Sequence, residues 1–187
     1  MLKRWQAKIP VIEQSGFLIT SRMEKMKFCP ECGQPLALQT RDAKERLACT
    51  NPSCEYVFWD NPTPVVAAII TQAGQVVLAR GRGWPADRFA LIAGFLERGE
   101  HPDDAVLREV REELGVSGHI VEFVGYYSFT LRNQIIFVFQ VDIADDPVLG
   151  DEIEELKYLA PQDVVPWPRG TGPALRDWLA RHYGLEK

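Results

Sequence analysis

The chain has 187 residues, 46% of them hydrophobic and 25% charged, with a formal net charge of −5. This length supports one good core and a small accessory unit, and the composition excludes the fibrous and disordered classes. The acidic balance argues against a general electrostatic grip on nucleic acid, and no apolar run reaches the roughly 18 residues that span a membrane.

Residues 1–25 have weak periodicity, and Met23 and Met26 offer alternative chain starts. A loosely ordered leading extension, or an artefact of start assignment, is expected there. Its apolar cluster is interrupted by Pro10 and Glu13, unlike a signal peptide, so cytoplasm is the expected compartment.

Residues 26–58 hold all four cysteines: Cys29 and Cys32 in CPECG, then Cys49 and Cys54 in CTNPSC, around a polar hairpin. Two such knuckles read as a structural zinc site, with four thiolates closing a tetrahedron. The alternatives are disulfides or unpaired thiols, and a reducing compartment disfavours the former. A unit this small cannot fold on its own core, and bound metal would supply the missing energy. Arg41, Lys44 and Arg46 are offset by Asp42 and Glu45, so no basic stripe marks a nucleic-acid surface. The role expected of the unit is structural, including help in forming a homodimer.

Residues 60–187 form the larger domain. The β-branched runs at 63–71 and 75–80 predict a hairpin turning at Ala73–Gly74. A loop follows over 81–87, then a short strand over 89–92. His101 and Pro102 suit a helix start, and Gly115 suits its end. On that helix Glu109, Glu112 and Glu113 stand at i, i+3 and i+4 and share one face, while Leu107, Val110 and Leu114 take the other. Such a row of carboxylates repels itself unless a cation intervenes, and hard oxygen ligands select Mg²⁺ or Mn²⁺. Because Mg²⁺ commonly meets substrate phosphates, the pattern points to phosphate chemistry. Strands are expected over 120–129 and 134–143, an acidic cluster over 151–155 ahead of a short strand, and an amphipathic helix over 173–183. Arg80 and Arg82 are candidate phosphate clamps. Phe95 and Tyr126 are candidate stacking platforms for a base.

From Gly94 to Val116 the residues fit the pattern G-x5-E-x7-R-E-U-x-E-E-x-G-U, U being aliphatic, and the chain therefore resembles the Nudix hydrolases. Together with the cysteines, the likeness extends over about 28–162 and is to the zinc-containing Nudix group that includes NADH pyrophosphatases. It implies an α/β fold, an α/β/α sandwich with a mixed sheet behind a zinc ribbon. It also implies metal-dependent cleavage of the pyrophosphate in a nucleoside diphosphate linked to another moiety, releasing a nucleoside monophosphate. Glu109 and Glu113 would be principal metal ligands, with Glu112 a further ligand directly or through water. Arg108 and Glu100 would pair to hold the loop against the helix, the carbonyl of Ala93 would add a ligand, and Glu152 would complete the site or act as base. The SQPWPFPxS array of NADH pyrophosphatases is absent, since 121–140 contains neither Trp nor Pro. FAD and ADP-ribose therefore stand beside NADH as substrate types. A small nucleotide is the expected partner, with no membrane and no nucleic acid. The competing readings are a non-enzymatic nucleotide sensor whose ribbon binds a partner, and an RNA-end pyrophosphohydrolase.

Overall fold

The structure is a computed structural model that describes residues 26–186, so the expectation for residues 1–25 lies outside the described residues. The chain divides into two compact units, Met1–Asn61 and Pro62–Lys187.

In the first unit, β1 (Leu36–Arg41) and β2 (Lys44–Cys49) pair antiparallel from Leu36↔Cys49 to Arg41↔Lys44, and β3 (Val57–Phe58) adds to β2. The turn is tight because Asp42 and Ala43 both take positive φ, 49° and 59°, the conformation that matches the twist of a two-residue hairpin.

The second unit is a six-stranded mixed sheet with a helix on each face. Its strands are β4 (Thr63–Gln72), β5 (Gln75–Gly81), β6 (Ile92–Phe95), β7 (Gly118–Phe129), β8 (Gln134–Ile143) and β9 (Ile153–Leu159). The order is β7-β8-β4-β5-β9, with β6 also on β4. The β4–β8 pair is parallel and every other pair is antiparallel. The central strand β4 is buried on both faces, and alternation along it sorts the layers. Val66, Ala68 and Ile70 pack with Val106, Val110 and Leu114 of α1 (Pro102–Leu114). Val65, Ala67 and Ile69 pack with Leu175, Trp178 and Leu179 of α2 (Gly172–Tyr183). Each fully buried side chain of this size contributes about 1.5–3 kcal/mol, so both helices are held mainly by their apolar faces.

The strand expected over 89–92 instead runs Ile92–Phe95, and Ala90 makes only an isolated bridge to Ala79. The reason lies in β4: β5 pairs with it only over Ile70–Gln72, which leaves Val65–Ala68 to pair with β6. The acidic cluster is likewise not all loop, because Glu154 and Glu155 lie inside β9. Among the described residues no helix is long and apolar enough to cross a membrane.

Candidate active site

The helix α1 begins on Pro102, with Asp103 and Asp104 in its positive first turn, and closes on Gly115, whose φ is 65°. Its inward face buries Ala105, Val106, Val110 and Leu114. Leu107 and Val110 lie toward Gly118 of β7, whereas Glu109 lies toward β6. The Glu109 carboxylate sits on Gly94 so closely that a Cβ there would overlap it.

Arg108 gathers the surrounding groups. Its Nε and Nη2 donate to the two oxygens of Glu100 at 2.8 and 3.0 Å, and Nη2 also donates to the Phe95 carbonyl at 3.1 Å. Nη1 reaches Glu109 Oε1 at 2.6 Å and Glu112 Oε2 at 3.5 Å. Glu100 is further held by the Glu97 amide, which donates to it at 3.1 Å. The loop between β6 and α1 is thereby tied to the helix by a two-pronged, charge-assisted contact. Arg108 holds the Glu100 carboxyl below its usual pKa, and Glu100 in turn raises that of Arg108.

Glu113 has no such relief. Burial first, then the carboxylates of Glu109, Glu152 and Glu112, push its pKa up to about 8, and no donor opposes them. Burial also raises Glu109, against the pull of Arg108. Arg108 thus serves Glu100, Glu109 and Glu112, while Glu109, Glu112 and Glu152 add their repulsion at Glu113. An all-oxygen donor set with excess negative charge and a carboxyl that cannot comfortably ionise is chemically suited to a hard divalent cation. The glutamates are not drawn together as tightly as the cysteines are, whose ligand atoms lie within 4.8 Å of one another.

Glu152 is brought to the helix by the loop before β9. The Val148 and Gly150 amides donate, each at 2.8 Å, to the carbonyls of Leu114 and Glu113, acceptors that the helix end leaves without an internal partner. Gly150 fits because a Cβ there would stand 2.5 Å from the Glu112 carbonyl oxygen.

The remaining candidates fall elsewhere. Arg80 commits its guanidinium to Glu154 at 2.9 Å and Glu155 at 2.8 Å, and Arg82 donates Nε to the Asp151 carbonyl at 2.8 Å. Strand pairing with β9 brings Glu154 and Glu155 to Arg80, whereas at Arg82 the loop before β9 engages Nε alone. Ala93 lies in β6 opposite Ala67, one residue before the glycine that Glu109 covers. Phe95 is 43% exposed at the head of the box loop. Tyr126 is 70% exposed on edge strand β7, opposite Phe137 of β8. A cleft of about 360 Å³, which the sequence reading missed, is lined by Phe129, Thr130, Leu131, Pro168, Arg169 and Pro173. Its sequence signals are Phe129, an aromatic residue suited to stacking on a base, and the proline- and glycine-rich stretch before α2. It opens at the end of the sheet where β4 begins, the end that also carries Phe95, since Thr63 pairs with Gln134 and Val65 with Phe95.

In the first unit Cys29 and Cys54 Sγ atoms lie 3.7 Å apart and those of Cys32 and Cys49 3.4 Å apart. A tetrahedral ion with metal–sulfur bonds near 2.3 Å requires sulfurs about 3.8 Å apart, whereas a disulfide requires about 2.05 Å. All four thiols are free. The knuckles are shaped by backbone bonds, Cys29 N to Gln34 O at 2.8 Å and Cys54 N to Asn51 O at 3.0 Å. The four sulfurs therefore fit one ion the size of zinc.

Comparison with known proteins agrees with this geometry. The family model described as NUDIX domain matches residues 61–181, and the one described as Nudix N-terminal, a zinc ribbon, matches residues 27–60. A protein of Pseudomonas putida named NAD-capped RNA hydrolase NudC is 30% identical over 165 residues, 86% of this chain and 58% of that protein. The chain thus spans little more than half the length of such relatives. The crystal structure of a NUDIX hydrolase from Nitrosomonas europaea is 27% identical, with a TM-score of 0.71 over 85% of this chain and 94% of that one. An ADP-ribose pyrophosphatase structure from Streptococcus suis, 16% identical with a TM-score of 0.55 over 66% of this chain and 93% of that one, shares the fold.

Proposed function

Because the chain belongs to the Nudix family of hydrolases and carries that family's zinc ribbon ahead of the hydrolase domain, we propose that it cleaves the diphosphate of a dinucleotide-type substrate. Water attacks one phosphorus in line, the P–O–P bridge breaks, and the products are a nucleoside monophosphate and a second phosphate ester. Bound Mg²⁺ or Mn²⁺ supplies Lewis-acid charge at the phosphate oxygens. Glu109 and Glu113 would hold that ion, with Glu112 and the Ala93 carbonyl as further ligands. Glu152 would complete the metal site from the loop before β9 and, beside the metal, take the proton from the attacking water. Arg108 and Glu100 orient Glu109 and fix the box loop. The domains on this reading are a ribbon at 26–58 and a hydrolase domain at 60–187, the ribbon holding zinc. The observation that carries the proposal is Glu113, half-buried beside the carboxylates of Glu109, Glu112 and Glu152 with its pKa pushed up to about 8 and no donor against it. A pure binder would not need that full set, which weighs against the sensor reading.

The relatives' name favours a second form of the same chemistry, in which the dinucleotide caps an RNA 5′ end. The net charge of −5 argued against nucleic acid, but that argument applies to proteins that track a long phosphate backbone. An enzyme that takes only the terminal cap needs no basic stripe, so the expectation that nucleic acid is no partner lapses. The cleft beside Phe129 is suited to a base, with an aromatic wall and Arg169 at its edge.

The test is a panel of NADH, NAD⁺, ADP-ribose, FAD and an RNA bearing a 5′-NAD cap, each with Mg²⁺ or Mn²⁺ and scored by product. Turnover should concentrate on compounds with a diphosphate between two nucleosides, capped RNA included. Inertness toward the whole panel would overturn the proposal.

A further inference from the structure

The acidic loop before β9 poses a physical problem. Glu152 raises the pKa of both Glu109 and Glu113, so it lies within their repulsion, and a flexible loop would swing such a carboxylate out to solvent. The main chain there is tethered on two sides. On the helix side, Gly150 N donates to Glu113 O at 2.8 Å. On the other side, Arg82, the first residue after β5, donates its amide to Glu152 O at 2.7 Å and its Nε to Asp151 O at 2.8 Å. The neighbouring Gly83 amide reaches Glu154 Oε2 at 3.3 Å. Arg82 thus spends both its backbone and its side chain on the two peptide units that set the direction of Glu152.

We propose that Arg82 is a positioning residue for the metal centre, acting through the main chain of Asp151–Glu152 to hold the Glu152 carboxylate against Glu109 and Glu113. This rests on Glu152 belonging to the catalytic set, as read above. It differs from the phosphate-clamp role expected from sequence, because the Nε contact is made to the protein main chain. A lysine can keep one hydrogen bond to the Asp151 carbonyl, though without the fixed planar geometry.

The test uses the full chain with Arg82→Leu, Arg82→Lys, Glu152→Gln and the double variant Arg82→Leu/Glu152→Gln. Calorimetry would measure Mn²⁺ binding to the substrate-free proteins, amide exchange would follow the segment 150–153, and steady-state kinetics would be run on the best substrate at saturating Mn²⁺. Arg82→Leu should weaken Mn²⁺ binding about tenfold, the scale for losing a group that orients a metal ligand, and should speed exchange in the segment. The nucleotide KM should stay within about twofold. Arg82→Lys should recover most of the loss. On the Glu152→Gln background, Arg82→Leu should add almost nothing, since both changes act through one carboxylate. The proposal is overturned if Arg82→Leu raises KM with Mn²⁺ binding intact, if the two losses add, or if Glu152→Gln leaves Mn²⁺ binding untouched. Should the predicted binding pattern appear in a protein that hydrolyses nothing in the panel, the positioning role stands and the hydrolase reading fails.

Discussion

The Glu109 carboxylate rests on the Cα of Gly94, in the space where any other residue would carry its Cβ. The first glycine of the box is thereby linked to the first carboxylate of the helix by steric necessity. Gly94→Ala should push Glu109 off β6 and break its 2.6 Å contact with Arg108. We expect kcat to fall about a hundredfold, the usual consequence of misplacing a catalytic group by about an ångström. Circular dichroism should remain near wild type, because Gly94 lies in a strand of only four residues and the added methyl meets the end of a side chain.

Arg108 makes contacts to Glu100, Glu109, Glu112 and the Phe95 carbonyl, a set only a planar fork can serve. Arg108→Lys keeps the charge and loses the geometry. Turnover should drop about ten- to a hundredfold, with faster proteolysis of the loop 96–100. Equal activity in Arg108→Lys would mean that charge alone matters there.

The pKa of Glu113 carries a pH prediction with a definite sign. Raised from 4.5 to about 8, the folded carboxyl binds a proton that the unfolded chain has already released between those values. Metal-free protein should therefore lose stability as pH rises from about 4.5 to about 8. Glu113→Gln should flatten that slope in melts recorded with chelator. Metal binding needs the ionised form, so Mn²⁺ uptake should release a proton and tighten as pH approaches about 8.

How far the sequence reached is clear from particular elements. The box helix was legible from Pro102 to Gly115 because proline, first-turn acids and a terminal glycine are local signals. The β4–β5 hairpin was legible from Ala73–Gly74 for the same reason. The place of β6 was not, since which residues join it depends on how much of β4 its neighbour β5 leaves open. Nor was the fate of Arg80, whose partners Glu154 and Glu155 lie some seventy residues on and meet it only through β5–β9 pairing. The cysteines were readable as a cluster because their spacing is short; that the four sulfurs fit one ion required coordinates.

The ribbon supplies an independent check. Elemental analysis should find about one zinc per chain, and Cys49→Ser, which removes a buried ligand, should abolish it and expose 26–58 to protease. Full retention of order without zinc would contradict the structural role.

The most direct test of the whole account is ³¹P detection of products from a dinucleotide diphosphate with Mg²⁺ or Mn²⁺, run on wild type and Glu113→Gln side by side. The account predicts a nucleoside monophosphate from the wild type, with turnover lost by about a thousandfold in a variant that still folds. A Glu113→Gln protein that cleaves at near wild-type rate would contradict it.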